Sequence, residues 1–262
     1  MFDIHYHLLY GLDDGPKTIE ESLALAEASI AEGVTHIVAT PHCNYEYKFD
    51  PRINVERATE LQELLKGRLT IGLGCDLHLS FDNVQDALAN PKKYSINGGR
   101  YVLVELADTS IPAQMRDILY KMRVAGMVPI ITHPERNPLL MRHPARIFEW
   151  VQDGCLVQIT AGSLTGRFGE GPQKACVRWI EDGWVHLIAS DAHHMQWRAP
   201  ALGAARETAA KLFDQDTAEQ LCLHNPRAVF QNEDLPFQPE PAEPTPQKQP
   251  RKRGFFSRLF GR

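Results

Sequence analysis

Short apolar runs alternate with longer amphipathic stretches over roughly the first 230 residues of the chain. The apolar runs are typical of buried strands, whereas the longer stretches repeat their apolar residues with the spacing of a helix. Five of these stretches end at a glycine just before an apolar run, and glycine readily adopts the left-handed conformation that closes a helix. The pattern predicts helices at 22–32, 54–66, 113–125, 144–153 and 173–182.

Seven apolar runs are predicted to form strands. They comprise the opening segment at 1–7 and the runs at 34–40, 69–73, 101–105, 127–132, 155–160 and 184–189. The run at 101–105 follows a Gly98-Gly99 turn and not a long helix. Strands that alternate with helices form right-handed crossovers and a parallel sheet. The pattern therefore indicates an α/β fold that is either a closed barrel or a doubly wound open sheet.

Imidazole and carboxylate side chains stand at the ends of six of the seven predicted strands. His5 and His7 lie two residues apart, so an extended chain places both imidazoles on one face. With Asp14 in the next loop, the full set is His5, His7, Asp14, His42, Asp76, Glu105, His133, Asp191 and His193. An open sheet gathers its site at one switch point, whereas a barrel brings the ends of all its strands to one mouth. The dispersed set therefore predicts a TIM-like (β/α)7 barrel with a metal site at the C-terminal ends of the strands.

The candidate ligands are nitrogen and oxygen donors without a thiolate. Such mixed sites suit manganese, iron or zinc, and the set is too large for one four-coordinate ion. Two or three divalent ions are expected, with Glu105 as a bridge. Metal ions lower the pKa of water from about 15.7 to about 7, and a pair of ions stabilises both oxygens of an in-line displacement. The set therefore predicts hydrolysis without a nucleophile from the protein.

Two arginines indicate the substrate class. Arg136 stands three residues after His133, and Arg198 lies just beyond the Asp191-Ala-His segment. A guanidinium fork matches a phosphate dianion, so phosphoester cleavage is favoured over attack on a neutral amide. The metal-dependent amidohydrolases, which also begin with His-x-His and are barrels, are the serious rival. Many of them bridge their metals with a modified lysine, and the predicted strands contain no lysine.

Two other hydrolytic chemistries are excluded by the sequence. A thiol phosphatase needs an arginine six positions after its cysteine, and none of the five cysteines has one. A serine hydrolase usually shows a Gly-x-Ser-x-Gly turn, which is absent. The scattered cysteines, without a Cys-x-x-Cys pair, also argue against disulfides and indicate reduced thiols in the cytosol.

Charge and composition bear on partners and location. The net charge is −5 and the pI is about 6.1, so the chain has no basic excess to attract nucleic acid. The sequence shows no export signal and no apolar run of membrane-spanning length, so a cytoplasmic protein is expected.

Composition changes near the C-terminus. Residues 1–232 are predicted to form the barrel, and the proline-rich, polar residues 233–250 a disordered linker. Residues 251–262 are basic and carry apolar residues at helical spacing, so they are predicted to be an amphipathic tail. Such a tail can contact the inner face of an anionic membrane, and a solvated tail is the alternative.

The motifs taken together resemble the PHP (polymerase and histidinol phosphatase) superfamily. More narrowly, they resemble its bacterial tyrosine-protein phosphatases of capsule and exopolysaccharide biosynthesis. The resemblance covers residues 1 to about 230 and rests on Asp3-Ile4-His5-Tyr6-His7, Asp13-Asp14-Gly15, Ala39-Thr40-Pro41-His42, Val104-Glu105, Thr132 to Asn137, Gln158 to Leu164 and Ala189 to His193. It implies a distorted seven-stranded barrel with a trinuclear metal centre, usually manganese.

The resemblance also assigns roles by position. The implied ligands are His5, His7, Glu105 and Asp191 for one ion, Glu105 and His133 for a second, and Asp14, His42 and His193 for a third. Arg136 and Arg198 fall where the family has phosphate-binding arginines. The family pattern has glutamate where Asp76 stands, so either this shorter carboxylate ligates or His78, two residues on, takes part.

The function implied by the resemblance is metal-dependent hydrolysis of phosphotyrosine. The implied substrate is the tyrosine-rich tail of a membrane-bound bacterial tyrosine kinase that controls capsular or exopolysaccharide synthesis. Two alternatives stay open: a small-molecule phosphoesterase such as a histidinol-phosphate phosphatase, and a module that binds the kinase tail without turnover. The sequence identifies no general acid.

Overall fold

Parallel strands and helices alternate through the computed structural model, which describes residues 1–244. The nine strands in that range are β1 Phe2–Tyr6, β2 His36–Ala39, β3 His42–Cys43, β4 Thr70–Leu73, β5 Asp76–His78, β6 Tyr101–Glu105, β7 Val128–Thr132, β8 Leu156–Thr160 and β9 Leu187–Ala189. They form a three-stranded sheet in the order β1-β2-β4 and a six-stranded sheet in the order β3-β5-β6-β7-β8-β9. Every pairing between them is parallel.

The two sheets combine into one barrel because two strand positions are divided. The strand predicted at 34–40 ends as β2, and β3 begins after Pro41, which has no N–H to donate to a neighbouring strand. In the same way β5 follows β4 after Gly74 and Cys75. Gly74 N still donates to Ala39 O at 2.9 Å, so the four segments stay together.

The far edges of the sheets meet just beyond the ends of β1 and β9. Tyr6 forms a parallel bridge with Ala192, and His7 N donates to Ala192 O at 3.0 Å. Asp191 N donates to His5 O at 2.9 Å. β2 and β3 together correspond to one predicted strand, and β4 and β5 together to another. The nine observed strands therefore occupy seven positions around the barrel, which is the number predicted. The prediction of a distorted TIM-like barrel is confirmed, although two of its strands are interrupted.

Helices surround the barrel. Those in the described range are α1 Ile19–Ala31, α2 Pro51–Leu65, α3 Phe81–Ala89, α4 Pro91–Tyr94, α5 Met115–Val124, α6 Pro138–Arg142, α7 Ala145–Gln152, α8 Ala161–Leu164, α9 Glu170–Glu181, α10 Leu202–Leu212, α11 Gln215–Glu219 and α12 Asn225–Gln231. Single 3-10 turns occur at Ile96–Gly98 and Pro134–Arg136, and a π-helical turn at Gln220–His224. The five predicted helices correspond to α1, α2, α5, α7 and α9. None of the helices within residues 1–244 is both long enough and apolar enough to cross a membrane.

The barrel has an apolar floor and a polar mouth. Leu103 and Leu156 belong to a fully packed apolar cluster with residues of β1, β7, β9 and α12. Two residues further along the same strands stand Glu105 and Gln158. Side chains two apart share a face, so each strand changes from apolar to polar towards its C-terminal end.

Residues 233–244 lie against the N-terminal end of the barrel. The indole Nε1 of Trp184 donates to Ala242 O at 2.9 Å, and the hydroxyl of Tyr101, the first residue of β6, donates to Glu233 O at 2.6 Å. Leu235 is buried in the apolar cluster. This part of the chain therefore differs from the disordered linker predicted for 233–250, because its apolar side chains and backbone groups find partners on the barrel. The rest of that linker and the predicted tail at 251–262 lie outside the described residues.

We expect Asn225→Ala to detach this segment. The buried Asn225 amide donates to His186 O at 2.9 Å and to Phe237 O at 2.7 Å, and its carbonyl accepts from Phe237 N at 3.1 Å. Each buried polar group left unpaired costs about 1–3 kcal/mol, so the free energy of unfolding should fall by about 2–4 kcal/mol in urea titrations. Limited proteolysis should also cleave residues 233–244 sooner.

Asn90→Ala is the matched control, because Asn90 is exposed and its side-chain amide donates only to the carboxylate of Asp86. It should change the free energy of unfolding by less than about 0.5 kcal/mol. Equal effects of the two substitutions would contradict the anchoring role of Asn225.

Candidate metal centre

The candidate ligands converge at the C-terminal mouth of the barrel. His5 Nε2 lies 3.4 Å from His7 Nε2 and 3.3 Å from Asp191 Oδ1. His42 Nδ1 lies 3.2 Å from Asp76 Oδ2 and 3.6 Å from Glu105 Oε2. The structure thus brings side chains from the first strand, the interrupted second and third positions, and the last strand into one cluster.

Four subsets of this cluster have ligand atoms that all lie within 4.8 Å of one another. They are His7, Asp14, His42 and His193; His5, His7 and Asp76; His5, His133 and Asp191; and His42, Asp76 and Glu105. All nine residues predicted as ligands occur among them. The subsets share members, as expected where neighbouring ions share bridging ligands.

Several buried polar atoms in the cluster have no hydrogen-bond partner. They are Asp14 Oδ1, His42 Nδ1, Asp76 Oδ1 and Oδ2, Asp191 Oδ1 and His193 Nε2. A buried polar group without a partner costs about 1–3 kcal/mol, and a charged one costs more. Divalent cations would coordinate these atoms, and imidazole with carboxylate is a donor set that manganese, iron and zinc accept. The residues present therefore fit a group of divalent ions.

Electrostatic interactions keep the buried carboxylates ionised. Burial opposes the charge on Asp76, but His5 and His42 hold its pKa well below the usual value. Burial likewise opposes the charge on Asp191, whose pKa is held low by Arg198 and by His5. The same carboxylates, Asp191 first and then Asp76, raise the pKa of His5 to about 9 against the effect of burial. The buried carboxylates of the cluster therefore draw positive charge towards them.

The outer ring nitrogens of three histidines are engaged away from the cluster. His5 Nδ1 donates to Gln158 Oε1 at 2.9 Å, and His7 Nδ1 donates to Asp13 Oδ2 at 2.7 Å. His193 Nδ1 lies 3.0 Å from Asp191 O. These contacts fix each ring so that Nε2 faces the cluster, as is usual for metal-binding histidines. Gln158 and Asp13 belong to motifs that carry the family resemblance, but their sequence context does not indicate this role.

Two guanidinium groups border the cluster at Asp191. Arg136 Nη1 and Arg198 Nη2 both contact Asp191 Oδ2. Arg198 Nη1 also lies 3.9 Å from Asp14 Oδ2, and the Arg136 guanidinium stacks 4.9 Å from the centre of the Phe168 ring. Both side chains keep 20–25% of their surface exposed. The mouth therefore combines a cation-attracting cluster with two donors suited to an anion.

The comparisons with known proteins identify the family of this chain. A family model described as "Capsular polysaccharide synthesis, CpsB/CapC" matches residues 1–231. The chain belongs to this family. The predicted resemblance to bacterial tyrosine-protein phosphatases of capsule synthesis is thereby confirmed.

Two curated members of the CpsB/CapC family are similar along nearly their whole length. Tyrosine-protein phosphatase YwqE of Bacillus subtilis is 31% identical over 260 residues, which is 98% of this chain and 100% of the relative. Tyrosine-protein phosphatase CpsB of Streptococcus pneumoniae is 30% identical over 242 residues, which is 89% of this chain and 99% of the relative.

Solved structures agree on the fold. A crystal structure from work on YwqE and CpsB, described there as unique metal-dependent tyrosine phosphatases, superimposes with a TM-score of 0.87 at 30% identity. The alignment covers 94% of this chain and 100% of that one. A beta-aspartyl dipeptidase from Fervidobacterium islandicum, at 14% identity and a TM-score of 0.57, shares the fold alone.

Within this CpsB/CapC family member, Asp76 is better placed than His78 to bind a metal. Asp76 is fully buried and belongs to two of the four ligand subsets. His78 lies opposite Glu105 in the register of β5 and β6, with Nδ1 3.8 Å from Glu105 Oε2, and belongs to none of them. The geometry therefore favours the shorter carboxylate over the imidazole as the ligand.

We expect Asp76→Asn to reduce metal binding. The substitution also removes the negative charge that faces His5 at 3.6 Å and His42 at 3.2 Å, so the Tm of metal-stripped protein should fall modestly. Added Mn²⁺ should raise the Tm of the wild type and raise that of the variant by about half as much or less. Bound manganese per chain, measured by mass spectrometry, should fall in parallel.

Asp86→Asn is the control, since Asp86 lies on the surface and pairs with Lys93 at 2.6 Å. It should leave the Mn²⁺-induced rise in Tm unchanged. A wild-type metal content in Asp76→Asn would refute the assignment of Asp76 as a ligand.

The short turn that contains Arg136 places its side chain next to the cluster. His133 has a left-handed backbone with φ 33°, and Pro134–Arg136 follows as a single 3-10 turn. Glu135, in the middle of that turn, is fully buried, and its Oε1 accepts from Thr160 N at 2.9 Å. This contact ties the turn to the end of β8. Sequence patterns alone did not single out Glu135.

We expect Glu135→Ala to loosen Arg136 and weaken anion binding. Inorganic phosphate, titrated calorimetrically into manganese-loaded protein, should bind about tenfold more weakly, which is the effect of losing about 1.4 kcal/mol. Glu135→Gln keeps the acceptor for Thr160 N and should stay near the wild type. Manganese content should not change in either variant.

The exposed Glu149 on α7 supplies the control Glu149→Ala, which should bind phosphate normally. If Glu135→Gln weakened phosphate binding as much as Glu135→Ala, anchoring through Thr160 would be the wrong explanation.

Proposed function

We propose that this protein is a metal-dependent phosphatase that hydrolyses phosphotyrosine in proteins. The main support for the proposal is the arginine pair at the edge of the ligand cluster, where Arg136 and Arg198 both contact the carboxylate of Asp191. A guanidinium pair beside a divalent-metal site suits a phosphoryl group better than a neutral amide. The names of the curated relatives support the choice of tyrosine esters.

Three metal sites are proposed, with manganese as the metal and iron or zinc as alternatives. The resemblance assigns His5, His7, Glu105 and Asp191 to one ion, Glu105 and His133 to a second, and Asp14, His42 and His193 to a third. In the structure the third group is found together with His7, whereas Glu105 lies with His42 and Asp76, and Asp191 with His5 and His133, so the division of these ligands among the first two ions differs from that of the resemblance. When bound, such ions supply Lewis acidity and activate water for in-line attack on phosphorus.

The arginines would bind two of the phosphate oxygens and stabilise the charge of the transition state. In the structure both guanidinium groups contact the single oxygen Oδ2 of Asp191, whose carboxylate offsets only one of their two positive charges. The leaving phenolate has an ordinary pKa of about 10, far below that of an alkoxide, so tyrosine esters need little help from a general acid. The site therefore suits aryl esters.

The thiols of Cys155 and Cys222 do not compete with this mechanism. All five cysteines are buried. Burial raises the pKa of Cys155 and of Cys222 to about 12, so these thiols stay protonated at neutral pH. The thiolate is the nucleophilic form, and it is therefore scarce at these positions.

The proposed physiological substrate is the tyrosine-rich tail of a bacterial tyrosine kinase that controls capsular or exopolysaccharide synthesis. The family description supports this pathway. The proposed location is the cytoplasm, with peripheral membrane contact through residues 251–262. Residues 233–244 run along the N-terminal end of the barrel, so the chain leaves from the end opposite the metal cluster. A tail bound to a membrane would leave the mouth free for a kinase tail.

The first test compares substrates with and without metal. Metal-stripped protein should release no phosphate from a tyrosine-phosphorylated peptide until Mn²⁺ is added. Histidinol phosphate, measured alongside, should be hydrolysed poorly. Turnover of histidinol phosphate alone would instead identify a small-molecule phosphoesterase, and tight peptide binding without any turnover would identify a binding module.

Arg136→Ala and Arg198→Ala test the role of the arginine pair in the same assay. Each should lower kcat/KM for the peptide by about 10²–10³, the usual effect of removing a donor to transition-state charge. Manganese content should be unchanged. Arg142→Ala, at an exposed position on α6, is the control and should retain activity. Wild-type turnover in both site variants would count against the proposal.

A further inference from the structure

A cavity of about 260 Å³ opens directly beside the ligand cluster. Asp14 and His193 belong both to its lining and to one of the ligand subsets. The remaining lining is partly apolar, with Pro16, Ala24, Leu25 and Met195, and partly polar, with Lys17, Glu21, His194 and Gln196. The cavity is therefore a continuation of the metal site and not a separate pocket.

The size and lining of the cavity suit one aromatic ring. An apolar cavity of about 150 Å³ is enough to hold benzene, so this larger cavity has room for a hydroxyphenyl group. Pro16 and Leu25 are buried apolar residues, and Met195 is 46% exposed at the rim. A methionine sulfur makes favourable contacts with aromatic rings.

The anion-binding Arg198 connects the cluster to this cavity. Its Nη2 contacts Asp191 Oδ2, and its Nη1 lies 3.9 Å from Asp14 Oδ2 at the cavity entrance. A phosphate held by Arg198 would therefore lie close to Asp14, which also lines the cavity. The group attached to its ester oxygen could then reach the cavity.

Arg198 and Met195, which lines the cavity, also belong to one short turn. His194 and Arg198 form an antiparallel bridge, and His193 N donates to Arg198 O at 2.9 Å. Arg167 holds the outside of the turn, with Nη2 donating to Gln196 O at 3.3 Å. The fold therefore fixes the distance between the anion-binding group and the wall made by Met195.

We propose that this cavity receives the aromatic ring of the phosphotyrosine substrate. The proposal rests on the proposed phosphatase function and adds the part of the site that selects the leaving group. Its walls at Leu25, Ala24 and Met195 set the room for the ring. Esters with a bulkier leaving group would clash, and esters with a small one would leave the cavity unused.

Ala24→Leu tests the proposal by filling the cavity. Ala24 is an exposed residue of α1, and leucine is a good helix former, so the variant should fold. Phenyl phosphate and a tyrosine-phosphorylated peptide should each lose about tenfold or more in kcat/KM, the scale on which added alkyl groups affect a pocket. Acetyl phosphate, which has no ring, should change by less than about twofold.

Ala31→Leu is the matched control, since Ala31 is exposed on the same helix and does not line the cavity. It should leave all three substrates unaffected. Met195→Ala gives a second measurement: KM for the aryl esters should rise several-fold, and Met195→Leu should restore most of the loss.

The outcomes separate this proposal from the function on which it rests. If the wild type hydrolyses the esters but Ala24→Leu affects acetyl phosphate as strongly as phenyl phosphate, the ring does not occupy the cavity. If only the peptide is affected, the cavity holds a flanking residue of the peptide and the proposal is again wrong. If manganese-loaded wild type hydrolyses none of the three, the phosphatase function itself fails.

Discussion

The structure depends on how the mouth of the barrel accommodates buried negative charge. Asp76 and Asp191 are buried almost completely, and three of their four carboxylate oxygens have no hydrogen-bond partner. An isolated buried carboxylate costs several kcal/mol, so positive charge must gather around these residues. The imidazoles and arginines that surround them supply part of it, and the geometry leaves room for cations to supply the rest. The barrel below tolerates this arrangement because its floor is a well-packed apolar cluster.

The interruption of two strands is what brings this charge together. His42 and Asp76 face each other as the first pair of β3 and β5, and both strands belong to the sheet that also carries Glu105. If the second strand were not interrupted, it would continue in the three-stranded sheet, and His42 would not be paired with Asp76 in the six-stranded sheet. Gly74 allows the break in the third position, since a Cβ there would lie only 3.1 Å from Val38 Cγ1 and 3.2 Å from Thr40 Cγ2. The distortion of the barrel is thus part of how the ligands meet.

The elements predictable from the sequence were those encoded locally. Apolar runs, glycine-terminated helices and polar residues at strand ends identified the barrel and the nine residues that the structure brings together. The roles of Gln158 and Glu135 were not predictable, because each depends on a contact with a residue far away in the chain. Gln158 pairs with His5 across 153 positions, for example. The packing of residues 233–244 was missed for the same reason: their composition is polar, but Phe237 and Ala242 find partners on the finished barrel.

Asp191 links the cation-attracting and anion-binding halves of the mouth. Its Oδ1 lies within 3.5 Å of the Nε2 atoms of His5 and His7, while its Oδ2 contacts both arginines. The residue holds this position with a left-handed backbone at φ 53°, a conformation that non-glycine residues seldom adopt. One carboxylate therefore contacts both guanidinium groups, offsets part of their positive charge and contributes to the ligand cluster. Each of its oxygens therefore faces one half of the site: Oδ1 faces imidazoles that would help to hold a cation, and Oδ2 faces the guanidinium groups that would bind an anion.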